Sequence, residues 1–274
     1  MRANSEFDAN VEGLSEEAAV AGAQIADTPQ PEPQPEPRPL FEETMFSRNS
    51  PTICEDDQAR LASAHAVVVG CGGLGGFCVE YLVRLGVGSL AVIDADTFAP
   101  SNLNRQVLAT QATLGCGKAV CAAERARSIN PDVRVVAHGV FLDESNAEAL
   151  IADADVVVDA LDNPGSRVVL ETACEKAGVV LVHGAVRGKL AQVAVIHPGE
   201  GTLSRLYAGH TDLGEVSRDE LRSLKSTLSF TPPLAAALEI SEALKAILDQ
   251  PRGIAAGEVL LLDAQTLRLA RLTV

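Results

Sequence analysis

A glycine-rich turn that follows an apolar strand restricts the fold of this chain more than any other feature. Residues 66–96 read AVVVGCGGLGGFCVEYLVRLGVGSLAVIDAD, an apolar strand, a glycine turn, a helix and a second apolar strand. Apolar residues recur after the turn at the helical period, at Val79, Leu82, Val83 and Leu85. Two strands joined through a helix lie parallel in one sheet, with a right-handed connection. The segment is therefore predicted to be a βαβ unit.

The rest of the chain repeats this alternation of strands and helices. We predict helices at 58–64, 117–128, 145–151 and 165–176, strands at 133–137, 156–161, 179–184 and 190–197, and a late helix at 232–248. A hairpin around Asp263 to Gln265 closes the sequence, and residues 199–231 are loop-rich without a clear pattern. This order predicts an α/β fold with a doubly wound, Rossmann-like and mostly parallel sheet that carries a C-terminal antiparallel extension.

The composition suits such a sheet and divides the chain near residue 45. Hydrophobic residues make up 47% of the chain and aromatic residues only 3%, which favours a Val, Ala and Leu core around strands buried on both faces. Residues 1–45 hold ten acidic side chains against Arg2 and Arg38, with proline at every second position from Pro29 to Pro39. Such a segment cannot bury enough apolar surface to fold. We predict a disordered, acidic, Pro-rich tail at 1–45 and one globular domain at 46–274.

Charge, hydropathy and cysteine usage exclude several classes of protein. The formal net charge is −15, and an acidic surface repels nucleic-acid phosphates and anionic lipids. No apolar run approaches the ~20 residues that cross a bilayer, and the polar start lacks an export signal. The six cysteines form no CxxC pair, as expected for reduced thiols. We expect a cytoplasmic protein that binds neither nucleic acid nor membranes.

The glycine turn is a candidate phosphate-binding site. Its glycines are Gly70, Gly72, Gly73 and Gly75. Without side chains, they let a phosphate approach the backbone N–H groups at the positive end of a helix. Asp94 ends the second strand, where a carboxylate usually accepts hydrogen bonds from ribose hydroxyls, and Asp96 could share this role or cap the loop. These features alone fit NAD, FAD, S-adenosylmethionine or ATP.

A polar segment beyond the second strand favours nucleotidyl transfer. Asn102, Arg105 and Gln106 belong to the sequence SNLNRQ, and Lys118 follows about a dozen residues later. Arginine and lysine neutralise the charge that grows on the α-phosphate and on departing pyrophosphate, whereas hydride transfer needs no such cluster. Either cation alone could be an ordinary surface charge. Their joint occurrence beyond the strand ends favours the phosphate role.

Asp162 is a candidate magnesium ligand. It lies in the sequence DALDN, at the end of another apolar strand. Magnesium is usually bound through one or two carboxylates together with substrate phosphates. The alternative is a helix N-cap before Pro164, which Asp162 or Asn163 could provide.

These motifs together resemble the ThiF/MoeB/HesA group of E1-like adenylyltransferases. The likeness runs through VVVGCGGLGG, IDAD, SNLNRQ, GCGK, INPDVRV, VVVDALDN and VHGAV and covers residues 46–274. It implies nucleotide contact by Gly72 and Gly73, ribose binding by Asp94, phosphate binding by Asn102, Arg105 and Lys118 with support from Gln106, and Mg²⁺ binding by Asp162. The implied cofactors are ATP and Mg²⁺.

The resemblance also implies partners. The substrate would be the C-terminal glycine carboxylate of a ubiquitin-like sulfur carrier of the ThiS or MoaD type, which ends in Gly-Gly. A separate sulfur donor would then attack the acyl-adenylate, in thiamin or molybdopterin biosynthesis. Similar enzymes are homodimers, and Phe46-Ser47-Arg48-Asn49 resembles a motif whose arginine reaches the ATP of the partner subunit. Arg48 is therefore the candidate for that role.

The chain departs from the family pattern in its cysteines. Many relatives bind structural zinc through two CxxC pairs, which this sequence lacks, so we predict no structural zinc site. The loop before Pro232 also lacks the cysteine that some relatives use for a thioester or persulfide. Cys71 in the glycine turn is interpreted as a packing residue and His183 as a strand-end residue.

Several other functions remain compatible with the same motifs. The substrate could be a small-molecule carboxylate or the modified adenosine of a tRNA. The chain could also be a nucleotide-dependent oxidoreductase, or the non-catalytic half of a heterodimeric activator. The joint presence of Arg105, Lys118 and Asp162 disfavours a non-catalytic scaffold, because such a subunit does not need charges placed for a reaction.

Overall fold

One sheet organises the part of the chain that the computed structural model describes, residues 44–208 and 226–274. Its strands are β1 (His65–Val69), β2 (Ser89–Ile93), β3 (Arg134–His138), β4 (Val156–Asp159), β5 (Val180–Arg187), β6 (Leu190–Ile196), β7 (Glu258–Asp263) and β8 (Arg268–Thr273). Their order in the sheet is β3-β2-β1-β4-β5-β6-β7-β8. The predicted tail at 1–45 lies almost entirely outside the described residues.

Seven α-helices connect and cover these strands in the described residues. They are α1 (Glu55–Ser63), α2 (Gly75–Leu85), α3 (Lys118–Ile129), α4 (Ala147–Leu150), α5 (Pro164–Ala177), α6 (Thr202–Leu206) and α7 (Thr231–Ile247). A 3₁₀ turn spans Pro100–Asn102. Among the helices of the described residues, none combines the length and the apolar character needed to span a membrane.

The sheet is parallel on one side and antiparallel on the other. Strands β3, β2, β1, β4 and β5 pair in parallel, whereas β5, β6, β7 and β8 pair antiparallel. The prediction of a doubly wound, mostly parallel sheet with an antiparallel extension is confirmed. The strand order reverses between β1 and β4, and ligands of such sheets bind beyond the carboxyl ends of the strands at that point.

Alternating side chains of the parallel strands bury both faces of the sheet. On one face Val68 and Val158 pack with residues of α2, α3 and α7. On the other face Val67 and Val157 pack with residues of α5 and α6. Both faces are covered because the connecting helices lie on opposite sides, as the apolar strand sequences predict.

The predicted elements are found with small changes in their bounds. The helix expected at 145–151 is only α4, Ala147–Leu150, and His183 lies inside β5 rather than at a strand end. Helix α6 was not predicted, because five residues give too short an apolar pattern. Part of the unassigned segment, residues 209–225, falls outside the described residues.

A carboxyl group is buried between α7 and β5. The Glu239 side chain has no solvent exposure, and the absence of a side chain at Gly184 makes room for it: a Cβ there would lie 2.2 Å from Glu239 Cδ. The Cys78 thiol donates to Oε2 at 3.6 Å, while Oε1 has no partner among the described residues. Burial, and secondarily the nearby Asp159, raise the pKa of Glu239 well above its ordinary 4.5.

Glu239→Gln is expected to change how stability depends on pH. As pH rises above about 4.5, the unfolded wild-type chain ionises at Glu239 while the folded chain resists ionisation, so wild-type stability falls. Glutamine does not titrate, and the stability of the variant relative to wild type should rise with pH by up to about 1.4 kcal/mol per unit. Urea unfolding between pH 5 and 8 measures this. Parallel pH profiles of the variant and the wild type would contradict this expectation.

Candidate active site

Two of the four glycines in the turn are required by packing. Gly70 has a φ of +94°, and a Cβ there would lie 2.6 Å from the Ala160 carbonyl oxygen. A Cβ on Gly75 would lie 1.7 Å from the Gly70 carbonyl oxygen, so the glycine lets α2 begin directly against the end of β1. These contacts close the turn and bring the helix N-terminus over the strand end.

The other two glycines, Gly72 and Gly73, face side chains at ordinary contact distances. A Cβ on Gly72 would be 3.5 Å from the Gln106 amide nitrogen, and one on Gly73 would be 3.6 Å from Pro232 and 4.0 Å from Arg105 Cγ. Packing against protein therefore does not require glycine at these two positions. Their predicted contact with a nucleotide stays a prediction.

Asp94 links the end of β2 to the glycine turn. Its two carboxylate oxygens each accept a backbone N–H, from Cys71 and from Asp96, both at 2.8 Å. Burial raises the pKa of Asp94, although these two hydrogen bonds and the nearby Lys118 oppose the change. The carboxylate is thus held beside the turn, and its predicted role on a ribose stays a prediction.

Lys118 opens α3 and points back towards the end of β2. Its backbone N–H donates to the Asp96 carbonyl oxygen at 2.9 Å, and its ammonium group donates to Asp96 Oδ2 at 2.9 Å. The Lys118 residue is only 8% exposed. The sequence allowed two roles for Asp96, ribose binding or loop capping. In the structure Asp96 is the ion-pair partner of Lys118 and keeps it beside Asp94.

The segment after β2 brings Arg105 and Gln106 to the turn. The Arg105 guanidinium donates to the Ser101 carbonyl oxygen at 2.9 Å and to Asn104 Oδ1 at 2.8 Å. Gln106 is buried, and its Oε1 lacks a hydrogen-bond partner among the described residues. Asn102 Oδ1 accepts the Ala99 N–H at 2.9 Å, so this side chain shapes the 3₁₀ turn. Its predicted contact with phosphate stays a prediction.

Asp162 lies at the same edge of the sheet, just beyond β4. A Cβ on Gly70 would be 3.2 Å from the Leu161 nitrogen, which places Asp162 one residue from the glycine turn. Asn163, and not Asp162, caps α5: its Oδ1 accepts the N–H groups of Gly165 at 2.8 Å and Ser166 at 3.3 Å. The alternative interpretation of Asp162 as the cap is therefore wrong.

The exposed carboxylate of Asp162 fits a magnesium ligand. The described residues contain no group of three side chains that could hold a metal ion on their own. Magnesium usually takes one or two carboxylates and completes its coordination with phosphate oxygens and water. A single carboxylate next to a candidate phosphate site meets that requirement.

A buried polar network beneath Asp162 was missed in the sequence. Asp159 and His183 have no solvent exposure, and Asp159 Oδ2 lies 2.7 Å from His183 Nδ1. Arg167 Nε lies 3.8 Å from the same carboxylate oxygen. Burial lowers the pKa of His183, so we assign a neutral imidazole that donates from Nδ1. The one signal was the aspartate inside the apolar strand sequence VVVDAL.

Arg48 is not brought to the glycine turn of its own chain. It is exposed and lies between residues that pack at the far end of α2. Asn49 donates to Gln58 Oε1 at 3.0 Å, and a Cβ on Gly86, the C-cap of α2, would be 3.0 Å from the Phe46 ring. The 11 residues of α2, about 16 Å of helix, separate this end from the turn. The proposed action on a partner subunit stays a prediction.

Comparison with known proteins shows the family of this chain. The family model described as the ThiF family matches residues 46–274. The chain is 35% identical to the SAMP-activating enzyme E1 of Haloferax volcanii over 229 residues, 82% of this chain and 83% of that protein. It is 38% identical to the sulfur carrier protein adenylyltransferase of Thermus thermophilus over 230 residues, again 82% and 83%. The prediction of an adenylyltransferase is confirmed at the level of enzyme class.

The fold is also shared with a solved structure. The crystal structure of Escherichia coli MccB with ATP superposes with a TM-score of 0.69 over 85% of this chain and 72% of that chain, at 18% identity. At this identity the likeness shows the fold alone. With the family model matched across the whole globular region, the chain belongs to the ThiF family.

Proposed function

We propose that this enzyme uses Mg-ATP to adenylate the C-terminal carboxylate of a ubiquitin-like sulfur carrier protein. One observation carries the proposal: Arg105, Lys118 and Asp162 all lie around the glycine turn at the point where the strand order reverses. Two cations and a free carboxylate at this point suit a reaction in which pyrophosphate leaves.

In the proposed complex the nucleotide lies along the carboxyl ends of β2, β1 and β4. The phosphates approach the backbone at Gly72 and Gly73, and the ribose hydroxyls donate to Asp94. Asp162 would hold Mg²⁺, which when bound supplies positive charge to the phosphate oxygens. Gln106 supports the site from beneath Gly72, where its unpartnered Oε1 can accept a hydrogen bond.

The proposed reaction forms an acyl-adenylate. A carboxylate oxygen of the carrier attacks the α-phosphorus, the bond from that phosphorus to the bridging oxygen of the β-phosphate breaks, and pyrophosphate leaves with the electron pair. Arg105 and Lys118 neutralise the charge that builds on the phosphates, which requires Lys118 to share its ammonium protons between Asp96 and the nucleotide. A sulfur donor then attacks the acyl carbon and AMP leaves.

A sulfur carrier is preferred over other carboxylates because of the relatives. Two similar proteins are named for activating SAMP and for adenylating a sulfur carrier protein. We extend that substrate class, a small protein that ends in Gly-Gly, to this chain, with thiamin or molybdopterin biosynthesis as the receiving pathway. A homodimer is part of the proposal, since Arg48 lies too far from its own turn and would serve the partner's nucleotide.

ATP–pyrophosphate exchange with a candidate carrier tests the proposal. We expect exchange that requires ATP, Mg²⁺ and a carrier with an intact C-terminal Gly-Gly. Asp162→Ala should lower the exchange rate at least a hundredfold, which is within the range for residues that stabilise charge in the transition state. Asn163→Ala, which removes the neighbouring helix cap, is the control and should lower stability by about 1 kcal/mol while exchange is kept. Tight NAD binding without ATP binding would instead support an oxidoreductase and overturn the proposal.

A further inference from the structure

We propose that Arg167 and Asp159 are positioning residues that clamp the backbone in front of Asp162 and so fix its carboxylate for the metal–nucleotide complex. The inference rests on the proposed function, because it assigns a purpose to the exact placement of Asp162. The clamp has its own evidence in the contacts on Leu161, the residue that precedes Asp162 in the chain.

Both polar groups of Leu161 are held by buried charges. Its backbone N–H donates to Asp159 Oδ1 at 3.0 Å. Its carbonyl oxygen accepts a hydrogen bond from Arg167 Nη2. The two charged side chains also lie against each other, with Arg167 Nε 3.8 Å from Asp159 Oδ2. The peptide groups on either side of Leu161 are therefore fixed, which limits where the next side chain can point.

A second layer holds the clamp itself. Arg167 Nη1 donates to the Tyr207 hydroxyl at 2.6 Å, and the guanidinium carbon lies 5.4 Å from the centre of that ring. On the other side, His183 lies 2.7 Å from Asp159 Oδ2, and its Nε2 is 3.0 Å from Gln192 Nε2. Strands β5 and β6, together with Tyr207 at the C-terminal end of α6, thus hold the orientation of both charged residues.

Burial makes these residues positioning groups and not catalytic ones. The Asp159 side chain is fully buried, and the two terminal nitrogens of Arg167 donate inward, to Tyr207 and Leu161. We therefore assign both residues a role that acts through Asp162 and not through contact with the nucleotide. A buried ion pair adds little net stability compared with well-packed apolar side chains, because both charges must leave water. What this pair provides beyond an apolar pair is directed hydrogen bonds to Leu161, at the residue before the free carboxylate.

Arg167→Lys tests the clamp while keeping the buried charge. A lysine ammonium lacks the planar fork that lets arginine reach Leu161 and Tyr207 together. We expect the Leu161 amide to exchange with deuterium about tenfold faster in the ligand-free variant. Mn²⁺ affinity in the presence of a non-hydrolysable ATP analogue, followed by electron paramagnetic resonance, should fall about tenfold, in line with residues that orient metal ligands. The ATP–pyrophosphate exchange activity of the variant should recover at high Mg²⁺.

Glu242→Gln is the matched control, a buried carboxylate on α7. Glu242 accepts the Gly253 backbone N–H at 2.7 Å and pairs with Lys245, outside the network that holds Arg167 and Asp159. It should lower global stability and leave the Leu161 amide and the Mn²⁺ affinity unchanged. Equal shifts in both variants would show a general loss of stability and overturn the clamp. Should Arg167→Lys fail to fold, Tyr207→Phe removes one acceptor of the guanidinium and should give a smaller shift in the same direction.

The outcomes separate the clamp from the proposed function. In one outcome the wild type shows ATP–pyrophosphate exchange and tight Mn²⁺ binding, with both unchanged in Arg167→Lys. That result contradicts the clamp and leaves the proposed function standing. Absence of both ATP–pyrophosphate exchange and nucleotide-dependent Mn²⁺ binding in the wild type contradicts the proposed function. Faster exchange of the Leu161 amide in Arg167→Lys would still support the clamp in that case, because it is measured without ligand.

Discussion

Lys118→Ala is expected to lower carrier-dependent ATP–pyrophosphate exchange about 100- to 1000-fold. The ammonium group is held beside Asp94 and the glycine turn by its ion pair with Asp96. A positive charge that the fold already holds in place acts on the developing charge of pyrophosphate without reorganisation. The loss should appear mainly in kcat, because the charge that Lys118 neutralises grows in the transition state.

The same variant should remain folded. The Asp96 side chain is 73% exposed, so removal of its partner leaves its carboxylate in water, and such exposed pairs contribute little to stability. Two controls separate the lysine from its ion pair. Asp96→Ala keeps the ammonium group but removes the ion pair that holds it, so it should lower activity by less than Lys118→Ala does. Lys176→Ala breaks an exposed pair between α5 and Glu148 of α4 and should leave activity unchanged. Exchange by Lys118→Ala within threefold of wild type would contradict the assignment.

The architecture was predictable because its signals are local. The sequence from Ala66 to Asp96 combines a turn that needs glycine with apolar runs of fixed length, and these two properties together define a βαβ unit. Parallel strands then bring their carboxyl ends to one edge, so Asp94 and Asp162 could be placed near the turn before any contact was known. For the same reason Arg105 and Lys118, which follow β2 in the chain, were expected at that edge.

The buried polar network beneath Asp162 was not predictable from the sequence. Its residues are distant from each other in the chain, and their spacing follows no helical or strand periodicity. Asp159 and His183 are separated by 24 residues and meet only through the pairing of β4 with β5. Arg167 shows the helical spacing of any residue in α5, and nothing in the sequence indicates that its guanidinium turns inward to Leu161. The choice of Asn163 over Asp162 as helix cap likewise depends on a backbone angle that either residue type allows.

Gly75→Ala is expected to destabilise the protein by about 3 kcal/mol or more. A Cβ at this position would lie 1.7 Å from the Gly70 carbonyl oxygen, which is main chain and cannot rotate away. The methyl group would have to push α2 away from the end of β1, where Val68 and Val69 are buried. Urea unfolding measures the loss, and nucleotide binding should fail with it, because the helix N-terminus and the strand end no longer meet.

Gly73→Ala is the matched variant two residues earlier. There a Cβ would meet Pro232 at 3.6 Å and Arg105 at 4.0 Å, ordinary contacts, so the free energy of unfolding should stay within about 1 kcal/mol of wild type. ATP affinity should nevertheless fall about tenfold or more, since the methyl group occupies the space through which phosphate would reach the backbone N–H groups. Equal stability of the two variants would mean that Gly75 has no packing role. Unchanged ATP affinity in Gly73→Ala would place the phosphates elsewhere, because packing among the described residues does not require glycine at that position.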